Sequence, residues 1–234
     1  MSAVVIQNIT RRFGHLTALQ NINLEIASGQ TFVLFGPNGA GKSTLLRLIA
    51  TLGKPSFGEI FVNEINVRKN PEGVRKHIGL ISHQTLLYDD LTARENLTFY
   101  GQMYGIENLP ERIDQILSAV GLKDRQKDRV RTFSRGMKQR LTIARSVLHH
   151  PSILLLDEPF TGLDPSAQSM LSDMILDLKT EGRTIFVVTH DLGLGLSLAD
   201  RFGILLKGKL VYESSTENMT ESDLETVYQK KLQP

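Results

Sequence analysis

Residues 36–44 read GPNGAGKST and set Gly36, Gly41, Lys42 and Ser43 at the spacing G-x-x-x-x-G-K-[ST]. That spacing suits phosphates. Glycines let the backbone curl until several N–H groups converge on anionic oxygens. The lysine adds a full charge for the outer phosphates, and the serine hydroxyl is a hard ligand for Mg²⁺. A helix that starts inside the loop would turn its positive end toward the same oxygens. A second acidic site lies downstream, where four apolar residues, Ile153–Leu156, run into Asp157 and Glu158. A buried strand ending in carboxylates presents them at the C-terminal edge of a sheet, beside a phosphate loop. Asp157 can then hold Mg²⁺, directly or through water, and Glu158 can polarise an attacking water. These residues point to a nucleoside triphosphate. No N-K-x-D base-reading motif accompanies them, which argues against a GTP switch.

The elements that must position these groups are legible around them. Residues 3–9 and 22–26 are apolar and β-rich, with Ile22, Leu24 and Ile26 alternating with polar residues. Residues 31–35, TFVLF, form a continuous apolar run of the kind found in a strand buried on both faces. The stretch after the loop carries Leu45, Leu48, Ile49 and Leu52 on one helical face. Residues 58–62 and 77–81 read as further strands. From Gln84 to His150 the character turns helical. Thr92 and Glu95 make a capping box, and Pro110 stands where a first helical residue would, ahead of Ile113, Ile116, Leu117 and Val120. Ser134 can cap a third helix with Met137, Leu141, Ala144 and Leu148 inward. Strands return at 152–157 and 184–189. Between them Asp164-Pro165 opens a helix expected to turn Met170, Leu171, Met174, Ile175 and Leu178 inward. Residues 203–212 read as a hairpin turning at Lys207-Gly208, and 220–229 as a terminal helix.

The order implies one α/β domain over 1–234, with a core at 1–84 and 151–212, a helical lobe at 85–150 and a C-terminal tail at 213–234. Hydrophobic residues make up 41% of the chain, enough for a buried core, and cysteine is absent, so disulfides and thiolate metal sites are excluded. A net charge of +2 with interspersed signs does not suggest a nucleic-acid partner. No apolar run approaches the ~18 residues that span a bilayer, and the first residues lack a secretory pattern. A soluble, cytoplasmic chain is expected, with any membrane span supplied by a partner. The charged run 123–131 reads as a solvated loop, and His149-His150 have poor spacing for a metal.

Taken together, GPNGAGKST, Gln84, FSRGMKQR, ILLLDEP, TGLD and His190 resemble the ATP-binding subunits of ABC transporters over nearly the whole chain. The resemblance implies a P-loop ATPase fold with a mixed β-sheet, an N-terminal antiparallel portion and an inserted helical lobe. It implies ATP and Mg²⁺ as ligands. ATP would meet Phe13, Gly36, Asn38, Gly39, Ala40, Gly41, Lys42, Ser43 and Thr44. Glu158, His190, Lys42 and Gln84 would act in hydrolysis, and Ser43, Gln84 and Asp157 at the metal. It also implies a homodimer or a paired nucleotide-binding subunit, in which Ser134, Arg135, Gly136 and Met137 reach the partner's ATP and Asp164 lies at the interface. The signature differs from the family's L-S-G-G-Q at Phe133, Arg135 and Met137. Arg135 is expected to point to solvent, and Met137 cannot hydrogen-bond as glutamine would. From the residues alone, Phe13 is either a ring that stacks on adenine or a turn aromatic covering the sheet edge; the resemblance implies the first. Membrane-spanning permease subunits are the implied partners, at the cytoplasmic face of the membrane. Leu86, Leu87, Tyr88 and Leu91 are either a socket for them or packing within the lobe. Among cargoes, export of haem for cytochrome c maturation matches best, with drug, lipid and polysaccharide export, or a soluble non-transport ATPase, as alternatives.

Overall fold

The structure, a computed structural model, describes residues 1–82 and 84–232. Two long strands, β1 (Ser2–Phe13) and β2 (Leu16–Ala27), lead into β3 (Thr31–Phe35) and helix α1 (Lys42–Ile49). β4 (Phe57–Val62), β5 (Ile65–Asn66), α2 (Pro71–Arg75) and β6 (Ile78–Ile81) follow, then helices α3 (Ala93–Tyr104), α4 (Leu109–Ala119) and α5 (Arg135–Val147). The chain returns through β7 (Ile153–Asp157), α6 (Pro165–Thr180), β8 (Thr184–Thr189), α7 (Leu192–Leu198), β9 (Arg201–Leu206) and β10 (Lys209–Ser215), and closes on α8 (Glu221–Leu232).

The larger sheet has the order β10-β9-β3-β8-β7-β6. β9 through β6 run parallel, with β10 as an antiparallel edge. A smaller antiparallel sheet, β2-β1-β4-β5, lies in a separate layer. This is the mixed-sheet P-loop architecture with an inserted helical lobe that the sequence implies. β3 shows why a continuous apolar run was needed. Phe32 and Leu34 enter one core with Ile6, Leu19, Leu45 and Phe186, while Val33 and Phe35 enter the other with Leu117, Leu141, Leu156 and Val187. Side chains alternate across a strand, so a strand covered on both faces has no polar side.

The helix signals hold with shifts of about one residue. The capping box is complete: the Glu95 amide donates to Thr92 Oγ1 at 3.1 Å and the Thr92 amide to Glu95 Oε2 at 2.7 Å. α4 begins at Leu109, so Pro110 is its second residue, and Ile113, Ile116, Leu117 and Val120 are all buried. Other expectations fail for identifiable reasons. Leu52 is exposed because Thr51 turns into the left-handed region at φ 60° and ends the helical run first. Met170 is exposed because neighbouring helical residues point about 100° apart and Leu171 takes the core position. The charged run 123–131 is not a free loop. Its one apolar residue, Val130, is fully buried and donates its amide to Leu91 O at 2.9 Å. α5, expected within the lobe, is also bonded to the edge strand β6: Arg145 Nη2 donates to Leu80 O at 2.8 Å.

Candidate functional site

The C-terminal ends of the parallel strands share one edge of the large sheet, and the predicted chemistry gathers there. β8 lies between β3 and β7. The phosphate loop leaves β3, Asp157 ends β7, Glu158 follows it, and His190 follows β8. The register pairs Phe35 with Thr189 and Asp157 with Val188, which brings the three strand ends level.

The loop's glycines are set by close approach as well as by dihedral freedom. A Cβ at Gly41, whose φ is 107°, would lie 2.6 Å from Ala18 O and 2.9 Å from Leu19 Cδ2. A Cβ at Gly36 would collide with Leu205 O. β2 and the β9–β10 hairpin therefore brace the loop from outside: Gly208 donates its amide to Ala40 O at 2.9 Å, and Gln20 donates to Gly208 O at 2.8 Å. Inside it, Lys42 is 5% exposed. Its ammonium donates to Gly36 O at 2.7 Å and Pro37 O at 3.3 Å, and lies 3.3 Å from Glu158 Oε1. Glu158 turns its other oxygen, Oε2, to His190 Nδ1 at 2.9 Å. An ionised carboxylate only accepts, so Nδ1 is the protonated nitrogen of that ring. Glu158 holds this bridging position with φ 50°, a left-handed conformation costly for a side-chain-bearing residue.

Ser43 Oγ donates to Asp157 Oδ1 at 2.7 Å, and Asp157 is buried. A hydroxyl and a carboxylate in contact form an all-oxygen donor pair. That suits Mg²⁺, which takes few protein ligands and completes its shell with water and phosphate oxygens. The cleft over these groups has a volume of about 540 Å³ and is lined by Phe13 and residues 37–44, among others. Phe13 is half exposed there, with the Arg11 guanidinium stacked 4.3 Å from its ring centroid. Leu16, Thr17, Ala18, Lys207 and Gly208 also line it. The sequence reading missed all five as site residues. They come from a strand and a hairpin tip that only the fold brings to the loop, and no local pattern marks them.

Gln84 is exposed, and its carbonyl accepts from Ser82 Oγ at 2.9 Å. No hydrogen bond among the described residues joins its side chain to Ser43 or Asp157. Gln84 is not among the described residues that line the phosphate cleft.

The signature residues lie elsewhere. Ser134 caps α5, its hydroxyl accepting from the Met137 amide at 3.2 Å. The amides of Arg135 and Gly136 find no acceptor among the described residues. Arg135 is exposed, as expected, but it is also tied back to the chain. Nη2 donates to Thr161 O at 3.0 Å, and the guanidinium covers Gly162. Met137 packs against the main core, an apolar use of the position. Gln139, which the sequence reading did not single out, bridges to Pro159 O at 3.2 Å. Asp164 caps α6 through the Ala167 amide at 2.9 Å. Ser134, Arg135, Gly136, Met137 and Asp164 line one cavity of about 260 Å³, which shares no residue with the phosphate cleft. The two cavities are thus separate within one copy of the chain.

Comparison with known proteins gives a consistent picture. The family model described as "ABC transporter" matches residues 19–161. The chain is 35% identical over 240 residues to the ABC transporter ATP-binding protein NatA of Bacillus subtilis, covering 98% of each chain. It is 37% identical to the lantibiotic transport ATP-binding protein SrtF of Streptococcus pyogenes, covering 92% of this chain and 93% of that one. Among solved structures, a dimeric ATP-binding cassette in a post-hydrolysis state bound to ADP and Pi superposes with a TM-score of 0.82 at 29% identity, covering 91% of this chain and 98% of that one.

Proposed function

We propose, on the premise that this chain belongs to the ABC transporter family as an ATP-binding subunit and hydrolyses ATP coupled to transport, that two copies, or one copy and a paired subunit, close over two ATP molecules to drive an exporter. The observation that carries the reading is the separation of the two surfaces. Lys42, Glu158 and His190 are joined by direct contacts, as are Ser43 and Asp157, while Arg135 and Gly136 offer amides without acceptors among the described residues beside a different cavity. A helix N-terminus with spare N–H groups suits an anion, and a second copy's γ-phosphate supplies one.

Each residue's role follows from its contacts. The loop amides and Lys42 bind the outer phosphates. Phosphate oxygens compete with Glu158 for the Lys42 ammonium, which frees Glu158 Oε1 to orient a water. His190 holds Oε2 and so fixes the carboxylate's direction. Ser43 and Asp157 would hold Mg²⁺, which when bound neutralises charge on the transferred group. Gln84, on the family resemblance, would join them at that metal. Phe13, backed by Arg11, offers a ring face to adenine. Asp164 lies where a second copy would meet it.

The chain would work at the cytoplasmic face of a membrane with separate membrane-spanning permease subunits docked on a helical lobe at 85–150. Among the described residues no helix is long and apolar enough to cross a membrane. Of the four socket residues, Leu86 and Tyr88 are exposed, while Leu87 packs on the core and Leu91 is half-buried, so only the first two favour docking. Haem, the cargo expected from the sequence, finds no support in the two relatives described. The lantibiotic-transport relative favours the alternative of a drug or antibiotic exporter.

The test is Glu158→Gln. With ATP this variant is expected to run as a dimer on size exclusion and to lose about 10²–10⁴-fold in turnover, the usual span for a positioned general base. A variant that stays monomeric with ATP and keeps its turnover refutes the reading.

A further inference from the structure

We propose that the membrane partner presents an acidic side chain to a cavity between α3, α5 and β6, where its carboxylate pairs with Arg145. This deepens the reading that membrane subunits dock on this chain, and it rests on that reading.

The cavity, of about 160 Å³, is lined by Arg145 and His149 with Leu52, Arg75, Leu86 and Tyr104 among its other residues. Its floor carries an uncompensated cation. Arg145 is 91% buried, since its relative exposure is 9%. One nitrogen, Nη2, is bonded to Leu80 O, and the guanidinium lies 5.2 Å from the Tyr100 ring centroid. Nε is buried without any hydrogen-bond partner, and no carboxylate among the described residues lies within 4 Å of the group. Burial lowers its proton affinity, a sign that the charge has left water without a counter-charge. Buried charges are normally paired, and leaving one unpaired is costly. Arg75, on the rim, also has no ion pair among the described residues, and spends Nε on Thr51 Oγ1 at 2.9 Å. No acidic residue lines the cavity.

The second orphan is His149 Nδ1. The ring lies flat on Tyr104 at 3.8 Å between centroids, and Nε2 faces Ile78 O at 3.0 Å. A carbonyl accepts, so Nε2 carries the proton; Nδ1 has no hydrogen-bond partner, with the Arg75 backbone also close to the ring. Leu52, Leu86 and Tyr104 line the cavity and are exposed, and Tyr88, Phe99 and Met103, on and before α3, are exposed as well. α3 sets Phe99 and Met103 on one face, four residues apart. The complementary surface is an apolar segment that carries one carboxylate, with a hydroxyl or amide beside it. Such a segment satisfies both orphan groups, and an apolar surface around the pair keeps water out and strengthens it.

The test uses the full chain assembled with its membrane subunits in detergent. Arg145→Lys places an amine where a carbodiimide can join it directly to a carboxylate. The expected result is an amide link between position 145 and an Asp or Glu of a membrane subunit, mapped by mass spectrometry. Arg145→Met should weaken association about thirtyfold or more, as loss of one partner of a buried charge pair does. ATP turnover and thermal midpoint of the isolated chain should stay near wild type. Arg75→Gln, on the exposed rim, checks the same field without touching the core, and should weaken association less. Linkage at 145 that is absent or only intramolecular, or association of Arg145→Met within twofold of wild type, overturns the proposal while leaving docking itself intact. A wild-type chain that binds no membrane subunit removes both readings.

Discussion

In the phosphate cleft the charged groups have partners within the same chain. Lys42 is held by two carbonyls and Glu158, Glu158 by Lys42 and His190, and Asp157 by Ser43. At the N-terminus of α5 the arrangement is the reverse. Ser134 satisfies the Met137 amide, the amides of Arg135 and Gly136 remain without acceptors among the described residues, and the cavity beside them opens to solvent. The difference teaches how one fold divides labour. Groups that carry the reaction are cross-braced by the sheet, so on the proposed reading ATP has only to displace Glu158 Oε1 from the Lys42 ammonium while His190 keeps hold of Oε2. On the proposed reading, groups that meet a second copy are left incomplete, because only an unmet bonding capacity rewards closure.

The largest way to break this contrast is to remove the braced cation. Lys42→Ala should lower ATP turnover by about 10²–10³-fold, the range for losing one transition-state donor. Loss confined to KM in steady-state kinetics would mean Lys42 only binds. The sharpest test mixes two defective chains. Lys42→Ala and Ser134→Ala each spoil both sites of their own homodimer. Mixed dimers of the two regain one whole site, so turnover should recover toward half of wild type per dimer. A chain carrying both substitutions, mixed with wild type, should leave mixed dimers with no whole site. No recovery when the two single-substitution chains are mixed, with activity retained in mixed dimers of the double-substitution chain and wild type, would mean that Ser134 serves its own chain's nucleotide.

Smaller effects separate stability from chemistry. Asp164→Ala removes an N-cap and should cost about 1 kcal/mol in denaturant unfolding. A fall in turnover larger than that loss of fold explains would point to a role of Asp164 between copies. His149 supplies a control outside both regions. Burial pushes its pKa down from 6.5 to about 4, although the Ile78 carbonyl pulls the other way. The unfolded chain takes up a proton that the folded chain resists. Its contribution is therefore complete above about pH 6.5 and drains as pH falls toward 4. At pH 6 the loss should stay below about 1 kcal/mol. His149→Phe, which keeps a ring on Tyr104, should flatten that part of the profile of thermal midpoint against pH. Turnover of the isolated chain should follow the same pH curve in both proteins.

Much of the braced region was legible in the chain. Gly36, Lys42, Ser43, Asp157 and Glu158 announce themselves because each chemistry is tied to a local spacing, and a buried strand must be apolar until the residue where it emerges. The incomplete region was legible only in part. Ser134 reads as a cap, yet nothing local says that Arg135 folds back onto Thr161 or that Met137 turns to the core. Arg145 and His149 were invisible as a pair, since an arginine and a histidine on a helical period look like surface or structural residues until the edge of β6 closes over them.

The order of residues alone determined the nucleotide chemistry, the apolar strands and the helix caps. Each of these depends on neighbours within a few positions, where backbone geometry is short-ranged and repeatable. The tertiary structure decided which strand ends stand level, that Ala18 and Gly208 grip the phosphate loop, and that one guanidinium is buried without a carboxylate. Those facts depend on contacts between segments far apart in sequence, and such pairings leave no periodic trace in either segment.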